Sequence, residues 1–183
     1  SGGLIVDQKF DNATMMLEDL RKAVQDAGVR FETVVLDTCL MASLETAQAL
    51  RPMANYLVAS EELVDGAGSA YTAWLQYLYD NPGCEGERFG RTFCDFFQQK
   101  YAETGLEDST KSMTFSVIDL RKIDAVTKVV ADMFTELGGA LADPERFHAF
   151  AYSTVHTEHY DFPEMLDLSD MARRAKGYGL NEQ

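Results

Sequence analysis

Hydrophobic positions in the first third of the chain alternate between helical and strand-like spacing. After an apolar LIV near the N-terminus, MMLEDLRKAVQDAG carries apolar residues at helical spacing, with Asn12 or Thr14 as its N-cap and Gly28 as its stop. FETVVLD then predicts a strand. Its wholly apolar centre, VVL, is typical of a strand that is covered on both faces in a parallel sheet.

A second helix and a second buried strand follow directly. CLMASLETAQALR predicts the helix, with Leu40, Leu44, Ala47 and Leu50 facing inward and Pro52 ending it. NYLVAS predicts the strand. A strand, a helix and a strand within about 30 residues have the spacing of a βαβ crossover, which favours an α/β fold with a parallel sheet.

The rest of the chain predicts mostly helices. YTAWLQYLYD and GERFGRTFCDFFQQKYAETG predict two of them, and LRKIDAVTKVVADMFTELGG predicts a third that its two glycines close. KSMTFSVID alternates like a strand, and MLDLSDMARRAKGYG predicts a short final helix. Residues 144–165 show little periodicity. With 183 residues, 46% of them hydrophobic, the chain can bury a substantial core, and its length favours one domain over two.

The net charge of the chain limits the classes of molecule that it can bind. Thirty acidic against 16 basic residues give a formal net charge of −14, which opposes binding to nucleic acid or to an anionic membrane. A cationic partner or substrate is favoured, although an acidic surface also serves solubility alone. No apolar run approaches the roughly 18 residues of a membrane span, and the N-terminus has no basic segment followed by an apolar one.

Cys39 lies at the corner between the VVL strand and the helix predicted after it. Reactive groups in open parallel sheets collect beyond the carboxyl ends of strands, and N–H groups in the first turn of a helix stabilise a thiolate. Cysteine is also a frequent and inert core residue, so position alone leaves both interpretations open. The three cysteines cannot all pair, and Cys84 and Cys94 are interpreted as a loop thiol and a core thiol.

A cysteine nucleophile needs a base, which is normally a histidine. His148, His156 and His159 are the candidates, but all lie far downstream, and nothing local ties them to Cys39. HTEH at residues 156–159 is a weak metal motif because no helix and no third ligand accompany it. We therefore predict no metal site.

Acidic residues lie close to Cys39 in the predicted fold. Asp37 precedes the cysteine by two residues, a spacing that on a strand returns both side chains to one face. A carboxylate there would disfavour a thiolate, so it is better interpreted as an anchor for a substrate cation. Ser60, Glu61, Glu62 and Asp65 leave the next strand and could line the same cleft, although an ordinary solvated acidic loop explains these acids equally well.

Three stretches resemble the clostripain-like cysteine endopeptidases, a family within the larger group of caspases, legumains and gingipains. They are VVLDTCLMASLETAQAL, YLVASEELVDGAGSAY and STKSMTFSVIDLRKID, in this order and at plausible intervals, with a looser match at MLDLSDMA. The resemblance implies a caspase-like α/β fold, a three-layer sandwich with a mostly parallel sheet. Residues 1–183 would be the C-terminal larger part of a single peptidase domain.

The same resemblance implies an activity and a location. Cys39 would be the nucleophile of a Cys/His dyad that cleaves after arginine or lysine, and Asp37 and Asp65 would receive the cation. Such enzymes are secreted or held in the bacterial cell envelope, and their substrates are peptides or proteins. Some relatives need calcium, which the acidic balance permits, but no coordination loop of recognisable spacing is present.

The sequence departs from the family pattern at its start. The family's histidine sits in a His-Gly motif before a glycine-rich stretch, whereas this chain begins SGG and has no such motif. The base would then be supplied by an N-terminal segment or light chain, and this chain alone would be inactive. Lys9 is the candidate processing site, or a plain surface lysine. A non-catalytic binding module and a flavodoxin-like domain with a structural cysteine are the competing hypotheses.

Overall fold

We analysed a computed structural model that describes residues 3–103, 114–160 and 162–177. The chain divides into two compact units, Ser1–Asp124 and Ala125–Gln183. The elements of the first unit are β1 (Gly3–Asp7), β2 (Ala13–Met16), α1 (Leu17–Ala27), β3 (Phe31–Val35), α2 (Leu44–Leu50), β4 (Ala54–Ser60), α3 (Tyr71–Asp80), α4 (Gly86–Glu103), β5 (Phe115–Asp119) and a 3₁₀ turn (Leu120–Lys122).

A three-stranded sheet with the order β3-β4-β5 is the centre of the first unit. β3 and β4 are parallel, in a register that pairs Phe31 with Ala54 and Val35 with Val58, and α2 connects them. The predicted βαβ crossover is therefore confirmed. β5 runs antiparallel to β4, so the described sheet is mixed where the sequence predicted a mostly parallel one.

Helices cover both faces of this sheet. Because side chains alternate along a strand, Leu57 and Ala59 of β4 face one core cluster, and Val58 faces another. The first cluster includes residues of α1 and α2, namely Val24, Ala47 and Leu50. The second includes residues of α4, namely Phe93, Phe97 and Tyr101. The first unit is therefore the three-layer α/β sandwich that was expected.

A glycine allows α4 to lie directly against the sheet. A β-carbon at Gly90 would lie 2.8 Å from Val117 of β5 and 3.0 Å from Val58 of β4, closer than real side chains approach. The sheet side chains thus fill the space that a larger residue would need. This close contact fixes the height of the N-terminal half of α4 above the sheet.

The N-terminal segment differs from its prediction. β1 and β2 form an antiparallel hairpin, so Asn12 and Thr14 precede or lie in a strand and do not cap the helix. α1 begins at Leu17, where the Met16 N–H donates to the Asp19 carboxylate at 2.9 Å. The backbone hydrogen bonds between β1 and β2 outweigh the helical spacing of Met15 and Met16, which therefore lie in a strand. The predicted stop is confirmed, because Gly28 caps α1 with a φ of 65°.

Helix α5 (Ile123–Ala140) begins with the last two residues of the first unit, and its remaining residues belong to the second unit, which contains four further elements. They are α6 (Pro144–Val155), β6 (His159–Tyr160), β7 (Phe162–Leu166) and α7 (Leu168–Gly177).

Two expectations about the second unit are wrong. α5 continues through the two glycines that were predicted to close it, and α6 occupies a stretch without helical periodicity. Its start is local: Asp143 accepts N–H bonds from Glu145 and Arg146, and Pro144 holds the first position. In the described part of the chain, no helix is both long and apolar enough to span a membrane.

Candidate active site

Cys39 lies in a turn just beyond the carboxyl end of β3, as the sequence predicted. It does not lie in the first turn of a helix, because α2 begins only at Leu44. Leu40 adopts a φ of 62°, a left-handed conformation that cannot be continued as a right-handed helix. The prediction that helix N–H groups face this thiol is therefore wrong.

Hydrogen bonds to the end of β4 hold the segment between Cys39 and α2. The Leu40 N–H donates to the Glu62 carbonyl at 3.3 Å, and the Ala42 N–H donates to the Ser60 carbonyl at 3.0 Å. Ser43 then caps α2 by accepting the Thr46 N–H at 3.2 Å. The chain thus runs along the end of the neighbouring strand before it can turn into the helix.

The thiol of Cys39 faces the loop that follows β4, residues 61–70, which we call the 61–70 loop. The Val64 N–H donates to Cys39 Sγ at 3.2 Å, and Sγ lies 3.7 Å from the Val64 carbonyl oxygen. The side chain is half-buried. An N–H aimed at the sulfur can stabilise negative charge there, so the loop takes the place that the helix terminus was expected to have.

Asp37 is bound to the other end of the same loop. Its Oδ2 accepts the Ser69 N–H at 2.9 Å and the Tyr71 hydroxyl at 2.5 Å. Its Oδ1 is buried and has no hydrogen-bond partner among the residues described. The hydrogen bond to the Asp37 carboxylate raises the pKa of Tyr71, which therefore remains a protonated donor. The expectation that Asp37 and Cys39 share a pocket stays a prediction; the 61–70 loop contacts both side chains.

Helix α4 holds the 61–70 loop in place. Lys100 Nζ donates to three successive carbonyls of the loop, those of Ala67 (2.7 Å), Gly68 (2.9 Å) and Ser69 (3.2 Å). The Tyr101 hydroxyl lies 3.3 Å from the carbonyls of both Asp65 and Gly68. Sequence reasoning missed Tyr71 and Lys100, because only the tertiary structure brings the start of α3 and the end of α4 to this loop.

The other predicted contact residues lie at the start of this loop. Ser60 is fully buried, and its hydroxyl accepts the Glu62 N–H at 3.3 Å. Glu61 is half-buried, and its N–H donates to the Thr114 hydroxyl at 3.0 Å. Asp65 is half-buried and accepts the Ala67 N–H at 2.8 Å. Glu62 Oε1 accepts the Leu63 N–H at 2.9 Å. Glu61 and Asp65, the first and last of these acids along the chain, are thus partly accessible to solvent.

Histidines are confined to the second unit. His148 lies in α6, His156 caps its C-terminus against the Tyr152 ring at a centroid distance of 4.3 Å, and His159 lies in β6. Residues 1–124, which carry Cys39, include no histidine. The base that a cysteine nucleophile needs is therefore not supplied by the unit that holds the thiol.

The remaining thiols have different surroundings from Cys39. Cys94 of α4 lies 3.7 Å from the Phe115 carbonyl, and burial raises its pKa to about 11. Cys84 lies 3.3 Å from the Tyr77 hydroxyl in the turn before α4. The interpretation of Cys94 as a core thiol agrees with this burial. Lys9, the candidate processing site, is exposed in the turn between β1 and β2.

The fold is similar to that of solved caspase-like proteases. A secreted C11 cysteine protease from Bacteroides thetaiotaomicron, bound to an irreversible peptide inhibitor, has a TM-score of 0.61 and 20% identity over 95% of this chain and 48% of that chain. A clostripain from B. thetaiotaomicron ATCC 29148, bound to the peptide inhibitor BTN-VLTK-AOMK, has a TM-score of 0.58 and 21% identity over 94% and 74%. An inactive zymogen C11 protease from Parabacteroides distasonis has a TM-score of 0.58 and 18% identity over 100% and 50%.

These likenesses extend over the α/β architecture, which confirms the predicted fold class. The chain spans about half the length of most of these proteins, and 47% of a further match, a cysteine protease from B. fragilis. No curated protein sequence matches the chain significantly. The sequence model of the clostripain family, peptidase C11, matches residues 3–178, almost the whole chain, and the chain therefore belongs to the clostripain family.

Proposed function

We propose that this chain is the nucleophile-bearing part of a cysteine endopeptidase that cleaves peptide bonds after arginine or lysine. Cys39 would attack the peptide carbonyl as a thiolate, release the amine and leave an acyl-enzyme that water hydrolyses. Backbone N–H groups of the surrounding turn would hold the oxyanion. The family of the chain supports the reaction class, and the Val64 N–H at 3.2 Å from Cys39 Sγ supports the choice of nucleophile.

The observation that supports the substrate class is Asp37 Oδ1, which is buried and has no hydrogen-bond partner among the described residues. A buried carboxylate oxygen without a donor is costly, because it has lost its water and gained no partner. A cationic side chain that enters beside Asp37 would satisfy it and neutralise the charge. Since Asp37 and Cys39 are both held by the 61–70 loop, a substrate residue bound at Asp37 lies next to the bond that is attacked.

Residues at the start of the 61–70 loop would complete the substrate site. Asp65 lies between Val64, which contacts Cys39, and Ser69, which contacts Asp37, so its half-buried carboxylate would add to the negative field around the cation. Buried Ser60 and partly exposed Glu61 would shape the entrance, Ser60 through its hydrogen bond to the loop backbone.

The general base would come from a segment outside this chain. The unit that carries Cys39 contains no histidine. β3 is also an edge strand in the described sheet, since it pairs with β4 on one side only. A parallel strand added to the open edge of β3 would end beside the Cys39 turn, where a following His-Gly motif could reach the thiol.

The same proposal covers how the enzyme matures and where it is located. Cleavage at Lys9, in the exposed turn between β1 and β2, would be processing by the enzyme's own basic specificity. A zymogen among the similar structures supports processing, and secreted proteases among them support a secreted or cell-envelope location. Peptides and proteins with arginine or lysine would be the substrates.

A lysyl acyloxymethyl ketone tests the proposal, because it alkylates a catalytic thiol only after its lysine side chain is bound. On the chain produced together with its upstream segment, we expect the label at Cys39 and no label in Cys39→Ala. Asp37→Asn should slow labelling by about 100-fold, since it removes a desolvated charge partner. Asp26→Asn, on the exposed face of α1, is the matched control and should label at the normal rate.

Three outcomes would contradict parts of this proposal. An unlabelled Cys39 in a folded protein would favour the non-catalytic binding module. Normal labelling of Asp37→Asn would move the cation site elsewhere, with Asp65→Asn as the next variant. Labelling of Cys94 would contradict its buried, weakly acidic character.

A further inference from the structure

The geometry around Asp37 points to a choice between the two basic side chains: we infer that the pocket prefers lysine to arginine. This inference rests on the proposed function, in which Asp37 receives the cation. It goes further because it identifies which oxygen of the carboxylate can bind the substrate, and therefore what shape of cation fits.

One oxygen of Asp37 is already fully used. Oδ2 accepts both the Ser69 N–H at 2.9 Å and the Tyr71 hydroxyl at 2.5 Å. A carboxylate oxygen has about two lone-pair sites, so these two donors occupy Oδ2. Only Oδ1, which is buried and has no partner among the described residues, remains for a substrate.

The two basic side chains differ in how they use a carboxylate. Arginine binds best with two parallel N–H bonds, one to each oxygen, and its planar fork loses much of its advantage when one oxygen is taken. Lysine is a compact point charge that can donate to a single oxygen. A carboxylate on which a single oxygen still lacks a donor among the described residues therefore matches the ammonium group better than the guanidinium group.

The donors on Oδ2 are held firmly by their surroundings. Ser69 is 2% exposed, and its hydroxyl accepts the Trp74 indole N–H at 3.1 Å. The Tyr71 ring lies against Trp74 at a centroid distance of 5.9 Å. Lys100 Nζ donates to the carbonyls of residues 67–69, which fixes the loop backbone next to these donors. An entering guanidinium would have to break the Tyr71–Asp37 hydrogen bond to reach both oxygens.

Paired peptide substrates that differ only in lysine or arginine before the scissile bond test this inference. We would measure kcat/KM for both on the chain produced together with its upstream segment. The lysine substrate should be favoured by about tenfold, the effect of one hydrogen bond to a charged group. Tyr71→Phe keeps the ring but frees one lone pair of Oδ2, so the lysine-to-arginine ratio should fall by about tenfold.

Tyr79→Phe is the matched control, because Tyr79 lies on the same helix with its side chain 83% exposed, and its ratio should equal that of the unchanged protein. Equal or better cleavage after arginine in the unchanged protein overturns the inference, and so does an unchanged ratio in Tyr71→Phe. Either result leaves the proposed function intact, since basic substrates are still cleaved. Loss of cleavage after both residues in the unchanged protein overturns the proposed function and the inference together.

Discussion

Leu40 is the residue whose backbone conformation separates Cys39, the proposed nucleophile, from the helix that follows. Its φ of 62° costs a residue with a branched side chain roughly 1–2 kcal/mol relative to an ordinary conformation. The Leu40 N–H bond to the Glu62 carbonyl helps to offset this cost. Strained residues of this kind collect at functional sites, where surrounding contacts over-determine them. In this chain the strain separates Cys39 from α2 and turns it toward the 61–70 loop.

Gly68 is a second residue whose backbone conformation bears on the proposed substrate site. Its φ is 65°, and a β-carbon there would lie 3.2 Å from the Tyr71 ring and 3.5 Å from Asp37 Oδ2. Gly68→Ala should therefore strain the loop and displace Tyr71 from Asp37. We expect a fall in kcat/KM for the lysine substrate of about tenfold and a relative gain for arginine, in the direction of Tyr71→Phe.

Gly66→Ala is the control for this prediction. A β-carbon at Gly66, in the same loop, meets nothing within 4 Å. Its kinetic constants should stay close to those of the unchanged protein. Identical behaviour of the two alanine variants would show that the packing around Gly68 does not position Tyr71.

At the scale of elements, α4 links the core to the site. Its middle packs on the sheet through Gly90 and Phe93, and its last turn carries Lys100 to the 61–70 loop. The packing of aromatic side chains between α4 and the strands sets where Lys100 can reach. A change in the core can therefore move the loop that binds Asp37 and Cys39.

Replacing two helical glycines with alanine should change the free energy of unfolding in opposite directions. Gly90→Ala forces a β-carbon to within 2.8 Å of Val117, so we expect a loss of about 1–3 kcal/mol in the free energy of unfolding. Gly138→Ala, exposed on α5 with nothing within 4 Å, should gain about 0.5–1 kcal/mol from better helix propensity. Urea denaturation of both variants measures this; unchanged or increased stability of Gly90→Ala would contradict the role of Gly90, and a loss in Gly138→Ala would contradict the helix-propensity argument.

The net charge of −14 acts on the molecule as a whole. It raises the local concentration of cationic peptides and repels polyanions, over a distance that salt limits to about 10 Å at 0.1 M. This field is compatible with a substrate pocket built on Asp37. It does not distinguish lysine from arginine, a choice that the proposed site would make through contacts at the Asp37 carboxylate.

The origin of the base is a further property of the whole molecule. If the histidine comes from an upstream segment, replacing His148, His156 and His159 with glutamine should leave kcat/KM unchanged within about twofold, as expected of substitutions away from the reacting groups. Replacing the histidine of the upstream His-Gly motif should abolish activity. A large loss on replacing any one of the three histidines, in a variant that still folds, would place the base in the second unit.

Much of the first unit could be predicted from local patterns. Consecutive apolar residues at Val34 and Val35 and from Leu57 to Ala59 indicated strands buried on both faces, and Gly28 marked the end of α1. These features depend on neighbouring residues alone, so a single sequence reveals them. The start of α6 at Asp143 and Pro144 was equally local and could have been found from its cap, despite the weak periodicity.

Other features depend on contacts between distant residues and could not be predicted. The N–H groups of Leu40 and Ala42 bond to the end of β4, which delays α2 by five residues and removes the expected helix terminus from Cys39. The pairing of β2 with β1 likewise replaced the first turn of the predicted helix by a strand. In both cases backbone hydrogen bonds to another segment, an adjacent hairpin strand for β2 and the end of β4 for Leu40 and Ala42, outweighed local helix preference.

The sequence by itself determined the α/β class, the βαβ crossover, the position of Cys39 after a buried strand and the family resemblance. Hydrophobic spacing and short motifs carry that information locally. Only the tertiary structure decided that donors of the described residues reach one oxygen of Asp37 and not the other, because its partners Ser69 and Tyr71 lie more than thirty residues away along the chain. Lys100 of α4 donates to the Ser69 carbonyl and holds that residue in place. Which cation fits the pocket depends on those distant donors, since hydrogen bonds saturate an acceptor only when folding brings them together.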